Sequence, residues 1–390
     1  MAIEFTRALL RKREVIHVDG TQCRPVVRAD VEAVLRFMET INASGLIHFD
    51  GLDLSGADLR GLDLKGCSFE GCDLSRVVAH PLVIIRGREL PVGDPGINAA
   101  INRWVRGEDE QFEQEGIEVR PTCLENANLT DATLDDGDFN FVRMEGVYLT
   151  GTHVEGARFY RAGLCGASIR FAHFTRTDVR GAHLDGADLY GADLDRCLID
   201  DVSWGEKWIV QQETEKNWED AAHVYRMLTR AHEMVGLSDV AGAFRYRREL
   251  TQSKIILHQA LSLRGSSKAG AVKSSLRLIR YTGRLVSDWT CGFGERPWRA
   301  AGAFLVVFTV MIPFYVEYAQ FDPSLSGIAE LLKRVGYALY FSGASTSGLG
   351  YGSWIGDELG WPKYLGVIQS ILGTFFAALF LVTITRRWFR

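Results

Sequence analysis

The chain has 390 residues, 47% of them hydrophobic and 24% charged, and a formal net charge of −5. That length holds two or three domains. Its seven cysteines are scattered without a C-x-x-C pair, which argues against a zinc ribbon or a thioredoxin-like site and fits free thiols in a reducing compartment. The average hides two extremes. Between Leu46 and Trp204 acidic residues outnumber basic ones by 28 to 15, whereas the long apolar runs all lie beyond Ala300. An acidic front and an apolar back point to a soluble part tethered to something greasy.

Residues 1–45 read as an N-terminal cap segment. Their start, "MAIEFTRALLRKREV", lacks the apolar core and the small-residue cleavage site of a secretory signal. From residue 46 to 204 the sequence has a rhythm of five. Apolar residues recur at Phe49, Leu54, Leu59, Leu64, Phe69 and Leu74, then from Leu124 and Leu129 without a slip to Ile199 and Trp204. Two places before each early one stand Ile47, Leu52, Ala57, Leu62, Cys67 and Cys72. A period of five is neither helical nor strand-like. It demands a coil whose turns hold a whole number of five-residue sides.

The stretch "GADLYGADLDR" fits A-[DN]-L-x-x and resembles the pentapeptide-repeat family. The resemblance implies a right-handed quadrilateral β-helix, four sides to a coil, with both repeated positions pointing inward. About twenty-three sides stacked one strand spacing apart would make a rod of roughly 27 Å. Each coil would bury its core against its neighbours. Residues 78–122 break the rhythm with prolines and an acidic run. They read as an insertion projecting from one corner, with "GINAAINRWVR" as a short helix. Cys67 and Cys72, inward on successive sides, read as small core hydrophobes rather than as a redox pair.

Residues 205–290 read as a helical linker. "NWEDAAHVYRMLTRAHEMVGLSDVAGAFRYRRELTQSK" gives two amphipathic helices joined at "GLSD" and loosely resembles a tetratricopeptide-like pair. Ala222, Tyr225, Leu228 and Ala231/His232 share one face, and Ala243, Tyr246 and Leu250 share the next. His223 and His232 are expected at the surface. The stretch from Ala271 to Arg299 mixes Arg277, Arg280 and Arg284 with Leu276, Ile279, Leu285 and Trp289, the pattern of an interfacial basic helix.

Residues 291–390 carry two apolar runs, 300–319 and 364–384, each long enough to cross a hydrocarbon core. Arg296 and Arg299 precede the first run, and Arg386, Arg387 and Arg390 follow the second, so both ends and the rod are expected in the cytoplasm. Between the runs lie an amphipathic stretch and "ASTSGLGYGS". The stretch "ALYFSGASTSGLGYGS" resembles the potassium-channel signature, aromatic-aromatic-Ser followed by Thr-Thr-[Val/Leu]-Gly-Tyr-Gly-Asp. The resemblance implies an outer helix, a re-entrant pore helix, a filter and an inner helix, assembled as a homotetramer. The backbone of Ser347, Gly348, Leu349, Gly350, Tyr351 and Gly352 would line the ion path, its carbonyls replacing the hydration shell of potassium. Tyr340, Phe341 and Ser353 would support that filter, and Gly373 would be the inner-helix hinge. Three positions depart from the family. Gly348 stands for the threonine that supplies a ring of hydroxyl ligands, Ser353 for the aspartate after the filter, and Ala344 where some members carry a bracing glutamate.

The fold class expected is therefore multidomain: a pentapeptide β-helix, an α-helical linker and a two-span α-helical pore domain. The function expected is a potassium-selective cation channel of a bacterial-type inner (plasma) membrane, with a cytoplasmic repeat module that senses or assembles. A non-selective channel and a membrane-tethered repeat scaffold of the DNA-mimic type are the alternatives. No nucleophile–base pair, metal cluster or phosphate loop stands out, and "FGERP" lacks the lysine of a phosphate loop. No enzyme activity, no cofactor beyond permeant potassium and no nucleic-acid partner are expected; the partners are the lipid membrane, further copies of the chain and an unidentified cytoplasmic ligand or protein.

Overall fold

The structure, a computed structural model of the chain, describes residues 31–32, 35, 47–108, 111–205, 208–263, 268–318, 327–347 and 362–388. The chain folds as two compact units, residues 1–251 and 252–390.

In the first unit, parallel bridges join repeats twenty residues apart, as His48 to Ser68, Asp53 to Asp73 and finally His183 to Ser203, and sixty apart where the insertion intervenes, as Asp63 to Cys123 and Val78 to Asp138. Twenty residues are four sides of five, so the rhythm read from sequence is a four-sided coil. The backbone explains it. Phe49 N donates to the Ser68 carbonyl (2.7 Å), and Ser68 N donates back to that of Ile47 (2.8 Å). Leu52 N donates to the Phe49 carbonyl (3.2 Å) and closes the corner. The residue two past each centre takes a left-handed conformation, 67° at Gly51 and 69° at Gly56, which is why glycine recurs there. Asp131, Arg161 and Phe171 adopt it without glycine, at a cost of ~1–2 kcal/mol each.

The central residues form the core. Phe49 stacks on Phe69 and Phe139 on Phe159, each pair with centroids 5.0 Å apart. The inward position two before the centre is most often alanine, and where it is polar it can pair with the coil before. Thr152 Oγ1 donates to the Leu129 carbonyl (2.9 Å) and Cys72 Sγ to that of Phe49 (2.9 Å). Each of those carbonyls also accepts a corner N–H, using both lone pairs. Burial pushes the Cys67 thiol up to about 12, so it is an inert core group. Val31 and Leu35, from the expected N-terminal cap, join this core.

The insertion is shorter at both ends than residues 78–122. Val78 still bridges Asp58 and Asp138, Ala79 fills a central position, and Thr122 already points inward. Sequence missed Ala79 because alanine is a weak apolar signal. The excursion holds strands β1 (Leu82–Ile85) and β2 (Arg88–Glu89), helices α1 (Pro95–Val105) and α2 (Phe112–Glu115), and strand β3 (Ile117–Arg120). The strands make an antiparallel sheet in the order β2-β1-β3, which the sequence did not announce. Helix α1 is the short helix expected; Asp94 caps it by accepting from Gly96 N (2.7 Å).

Helices α3 (Gln211–Thr214), α4 (Trp218–Met234) and the start of α5 (Ser238–Ser262) close the last coil. The expected face of α4 is buried. Near the start of α5, Ala241, Phe244 and Tyr246 are buried; of the expected face Ala243, Tyr246 and Leu250, Tyr246 is buried and the other two are half-buried. The face is turned because Phe244 meets Trp204, Trp208 and Tyr225. His232 is likewise not at the surface. It is 1% exposed, between Trp204 and Phe244, and its Nδ1 pairs with the Leu228 carbonyl at 2.7 Å. A four-residue helical spacing from Leu228 puts it on the same inward stripe.

In the second unit, residues from 252 to the end of α5 pair antiparallel with α6 (Lys268–Cys291). Ser274 Oγ donates to the Ala260 carbonyl (2.7 Å) and Arg284 Nε to Ser253 Oγ (2.8 Å). Arg277 and Arg284 are therefore turned onto α5, while Leu276, Ile279, Leu285 and Trp289 are exposed. A tight turn at 292–294 leads to α7 (Pro297–Tyr318), followed by α8 (Ile328–Ser347) and α9 (Pro362–Trp388), which pack on one another. Segment 205–290, read as one linker, is thus shared between the two units.

Burial lowers the pKa of His232 from its ordinary 6.5, against the opposing pull of the Leu228 carbonyl and of Asp200. The folded state then binds fewer protons than the unfolded one as pH falls below 6.5. Stability of the first unit is complete above that pH and declines below it, by up to about 1.4 kcal/mol per pH unit. Thermal melts of the full chain between pH 7 and 5 are expected to show that slope, and His232→Phe to flatten it.

Candidate functional site

Of the residues assigned to an ion path, Gly348, Leu349, Gly350, Tyr351, Gly352 and Ser353 lie outside the described residues. Ser347 is the last residue of α8, and its Oγ donates to the Ala344 carbonyl (3.1 Å). Tyr340 faces outward on α8, and Phe341 meets Tyr315 of α7 edge-on at 4.5 Å.

Helix α8 sits between α7 and α9 with an unusual division of residues. Its buried positions are Ala338, Ser342, Ser345 and Thr346, three of them hydroxylated. Its large apolar side chains, such as Leu331, Leu332 and Leu339, are exposed. Helices α7 and α9 follow suit: Leu305 and Val310 on one, Ile371 and Val382 on the other, face out. The buried positions of α8 recur at the three- and four-residue spacing that keeps one stripe inward.

That polar stripe converges on Gln369 of α9, which is fully buried. Gln369 Nε2 donates to Ser342 Oγ and to Thr346 Oγ1, both at 2.7 Å, and its Oε1 accepts from Tyr315 Oη at 2.6 Å. Ser342 Oγ donates in turn to the Phe308 carbonyl of α7 (2.8 Å). Sequence reasoning missed Gln369. The signal was there, as the one amide in the uncharged run "YLGVIQSILGTFFAALFLVTI".

Gly373, the expected hinge, lies one turn further along α9. A Cβ built on it would stand 2.1 Å from the Thr346 carbonyl oxygen and 2.8 Å from its carbon. Glycine here lets two helix backbones touch. Gly373→Ala is expected to push α8 off α9 and to lower thermal stability by about 1–3 kcal/mol, as overpacking does; a melt of the full chain checks it.

The first unit offers a second concavity. A groove of about 690 Å³ runs between α1 and one corner of the coil, walled by Trp104, Phe141 and Tyr160 with Arg161 and Glu145. Two further arginines at its edge are already held, Arg143 by Glu125 (2.6 Å) and Arg180 by Asp178 (2.8 Å). Among the described residues no cluster of three His, Cys, Asp or Glu side chains could hold a metal.

The pentapeptide-repeat family model matches in eight copies over residues 48–77, 122–151, 143–181 and 164–199. Similar solved structures include the pentapeptide repeat protein Rfr23 from the cyanobacterium Cyanothece 51142, with 21% identity over 37% of this chain and 88% of that one, TM-score 0.19. HetL from Nostoc sp. strain PCC 7120, involved in heterocyst differentiation regulation, has 19% identity over 42% and 70%, TM-score 0.15. QnrB1, a plasmid-mediated fluoroquinolone resistance protein, has 15% identity over 40% and 72%, TM-score 0.15. No curated protein matches this chain. At such scores the solved structures add nothing to the assignment, which rests on the matched repeats and on bridges spaced by four sides. The front of the chain is a pentapeptide-repeat domain.

Proposed function

We propose that the chain is a membrane-anchored pentapeptide-repeat protein whose last hundred residues form the pore of a tetrameric cation channel, with potassium as the favoured ion. The observation that carries this reading is the inverted polarity of α7, α8 and α9. Helices α7 and α9 are long and apolar enough to cross a membrane, yet only 17% and 22% of their most apolar stretches are buried. A core helix of a soluble protein would be mostly covered. Here the hydroxyls and the amide are inside and the leucines outside, as a lipid solvent requires. Between the two spans α8 is held by its small polar face and ends at Ser347, immediately before Gly348-Leu349-Gly350-Tyr351-Gly352.

On this reading the termini and the repeat domain share the cytoplasmic side. The carbonyls of residues 347–352 would coordinate the ion, and Gly373 would serve as a contact between inner helix and pore helix as well as a hinge. A second reading, a membrane-tethered repeat scaffold, is favoured by the groove beside α1, a concave surface of mixed charge and aromatic character. In it α7 to α9 would only anchor the rod.

Purified protein in liposomes under opposed potassium and sodium gradients separates the two. The channel reading predicts cation flux with a reversal potential set by potassium, and a further gain in selectivity from Gly348→Thr, which restores a hydroxyl ring. Equal permeability of the two ions would make the channel non-selective. Absence of flux with the repeat domain intact, and again with residues 1–210 removed, would leave the scaffold.

A further inference from the structure

We propose that the groove beside α1 binds an extended basic segment of a partner protein, holding one arginine between the aromatic wall and Glu145 and a second basic side chain at Asp200 and Asp201. The inference concerns the repeat domain alone and goes beyond both readings above. It stands whether the last hundred residues conduct or only anchor.

Shape comes first. The lining steps along the rod at the spacing of the coil: Phe141, Arg161, Gly181 and Asp201 follow one another at the same left-handed corner, twenty residues apart. Four such levels, one strand spacing apart, span roughly 14 Å. This is a trough, and an extended chain of about five residues fills it at roughly 3.3 Å per residue. The wall is set before any ligand arrives. Phe141 packs with Ile97, Ala100 and Ile101 of α1 in a small core of its own, and Tyr160 meets it edge-on at 5.4 Å.

Charge decides the occupant. Arg143 and Arg180 are neutralised by Glu125 and Asp178, neither of which lines the groove. What remains is Arg161, whose guanidinium lies 5.5 Å from the centre of the Tyr160 ring, against Glu145, Asp200 and Asp201. The Glu145 carboxylate makes no hydrogen bond or ion pair among the described residues, and its Oε2 is buried. A half-buried carboxylate without a partner is costly, and a docked cation relieves it.

Gly163 makes room for that carboxylate. It bridges Arg143 and His183 in a regular ladder position and has no left-handed angle, so the backbone does not require glycine there. A Cβ on it would stand 2.4 Å from Glu145 Oε1. Glycine in a strand often marks a close approach, and here it leaves a notch with an unmatched negative charge beside aromatic rings.

A guanidinium suits both features at once. Its planar fork pairs with a carboxylate and its face stacks on an aromatic ring, which an ammonium does less well. In an extended chain, residues four apart share a face and lie about 13 Å from each other. That matches the rise from the level of Glu145 to that of Asp201, nearly three coils. The segment recognised therefore carries basic residues at i and i+4, with arginine at the Glu145 end.

The test uses the full chain in lipid nanodiscs and a fluorescein-labelled peptide, Arg-Gly-Ser-Gly-Arg, followed by fluorescence anisotropy. One control, Arg-Arg-Gly-Ser-Gly, keeps the charge at the wrong spacing. Another puts citrulline for the first arginine, keeping the shape without the charge. Wild type is expected to bind the first peptide saturably and each control about tenfold more weakly. Glu145→Gln and Gly163→Ala are each expected to weaken the first peptide about tenfold while the protein still melts cooperatively. Glu118→Gln, exposed on β3 outside the groove, is expected to leave its affinity unchanged. Free agmatine, a guanidinium without a peptide chain, is expected to compete at least about tenfold less well than the unlabelled peptide. No saturable binding, equal binding of the three peptides, or wild-type affinity in either groove variant would overturn the inference. Agmatine competing as well as the peptide would assign the groove to a small molecule and overturn the protein partner.

Discussion

The polarity of helices α7 to α9 constrains everything proposed for the second unit. In water, exposed Leu305, Ile371 and Val382 would be costly and a buried Gln369 would be wasted, since burying an amide gains nothing over leaving it hydrated. In hydrocarbon both costs reverse. The apolar faces are solvated, and the hydroxyl and amide groups, which lipid cannot hydrate, pair with one another inside. The small polar residues of α8 also decide where it lies. Only Ala338, Ser342, Ser345 and Thr346, with Gly373 opposite, let three helices approach closely enough for one glutamine to reach two of its neighbours.

The repeat domain solves a different problem. A coil of four short sides cannot bury its core alone, so each central side chain stacks on the one a coil away, as Phe49 does on Phe69. Such a stack has open ends, and the chain covers them. Val31 is a buried member of the same core, and the last centre, Trp204, is roofed by Phe244 and His232. The roof is tied by polar contacts as well: Gln212 donates to Asp188 of the coil, and the Tyr225 hydroxyl to Glu213. Burial and that carboxylate both push the tyrosine pKa up, so the hydroxyl stays protonated and keeps donating.

Much of this was legible in the sequence because periodicity is a geometric signal. A five-residue rhythm leaves few folds, and the corners, cores and coil length follow from it. Helix α4 was legible for the same reason, its inward stripe recurring every three or four residues. What escaped either had no period or sat on one with a residue type that hid it. Ala79 was too small to read as core, and the sheet is built from strands of two to four residues within a polar excursion. His232 was read as polar, although its position on the α4 stripe outweighed its chemistry. Gln369 was hidden by its surroundings: in a run scanned for length and apolarity a single amide reads as an interruption. Its meaning depends on Ser342 and Thr346, remote in sequence and brought near only by the packing of α8 on α9. The signature after Ser347 was read from resemblance, and its geometry lies outside the described residues.

The claim on which the account stands is that the chain crosses a membrane twice, with α8 entering from the side opposite the repeat domain. Labelling with a membrane-impermeant maleimide in intact and permeabilised cells tests it most directly. Ser324→Cys, between the spans, is predicted to add label over wild type in intact cells. Lys65→Cys, exposed on the coil, is predicted to add it only after permeabilisation. Label at both positions in intact cells, or at neither until the membrane is opened, would contradict the two-span arrangement and the pore built on it.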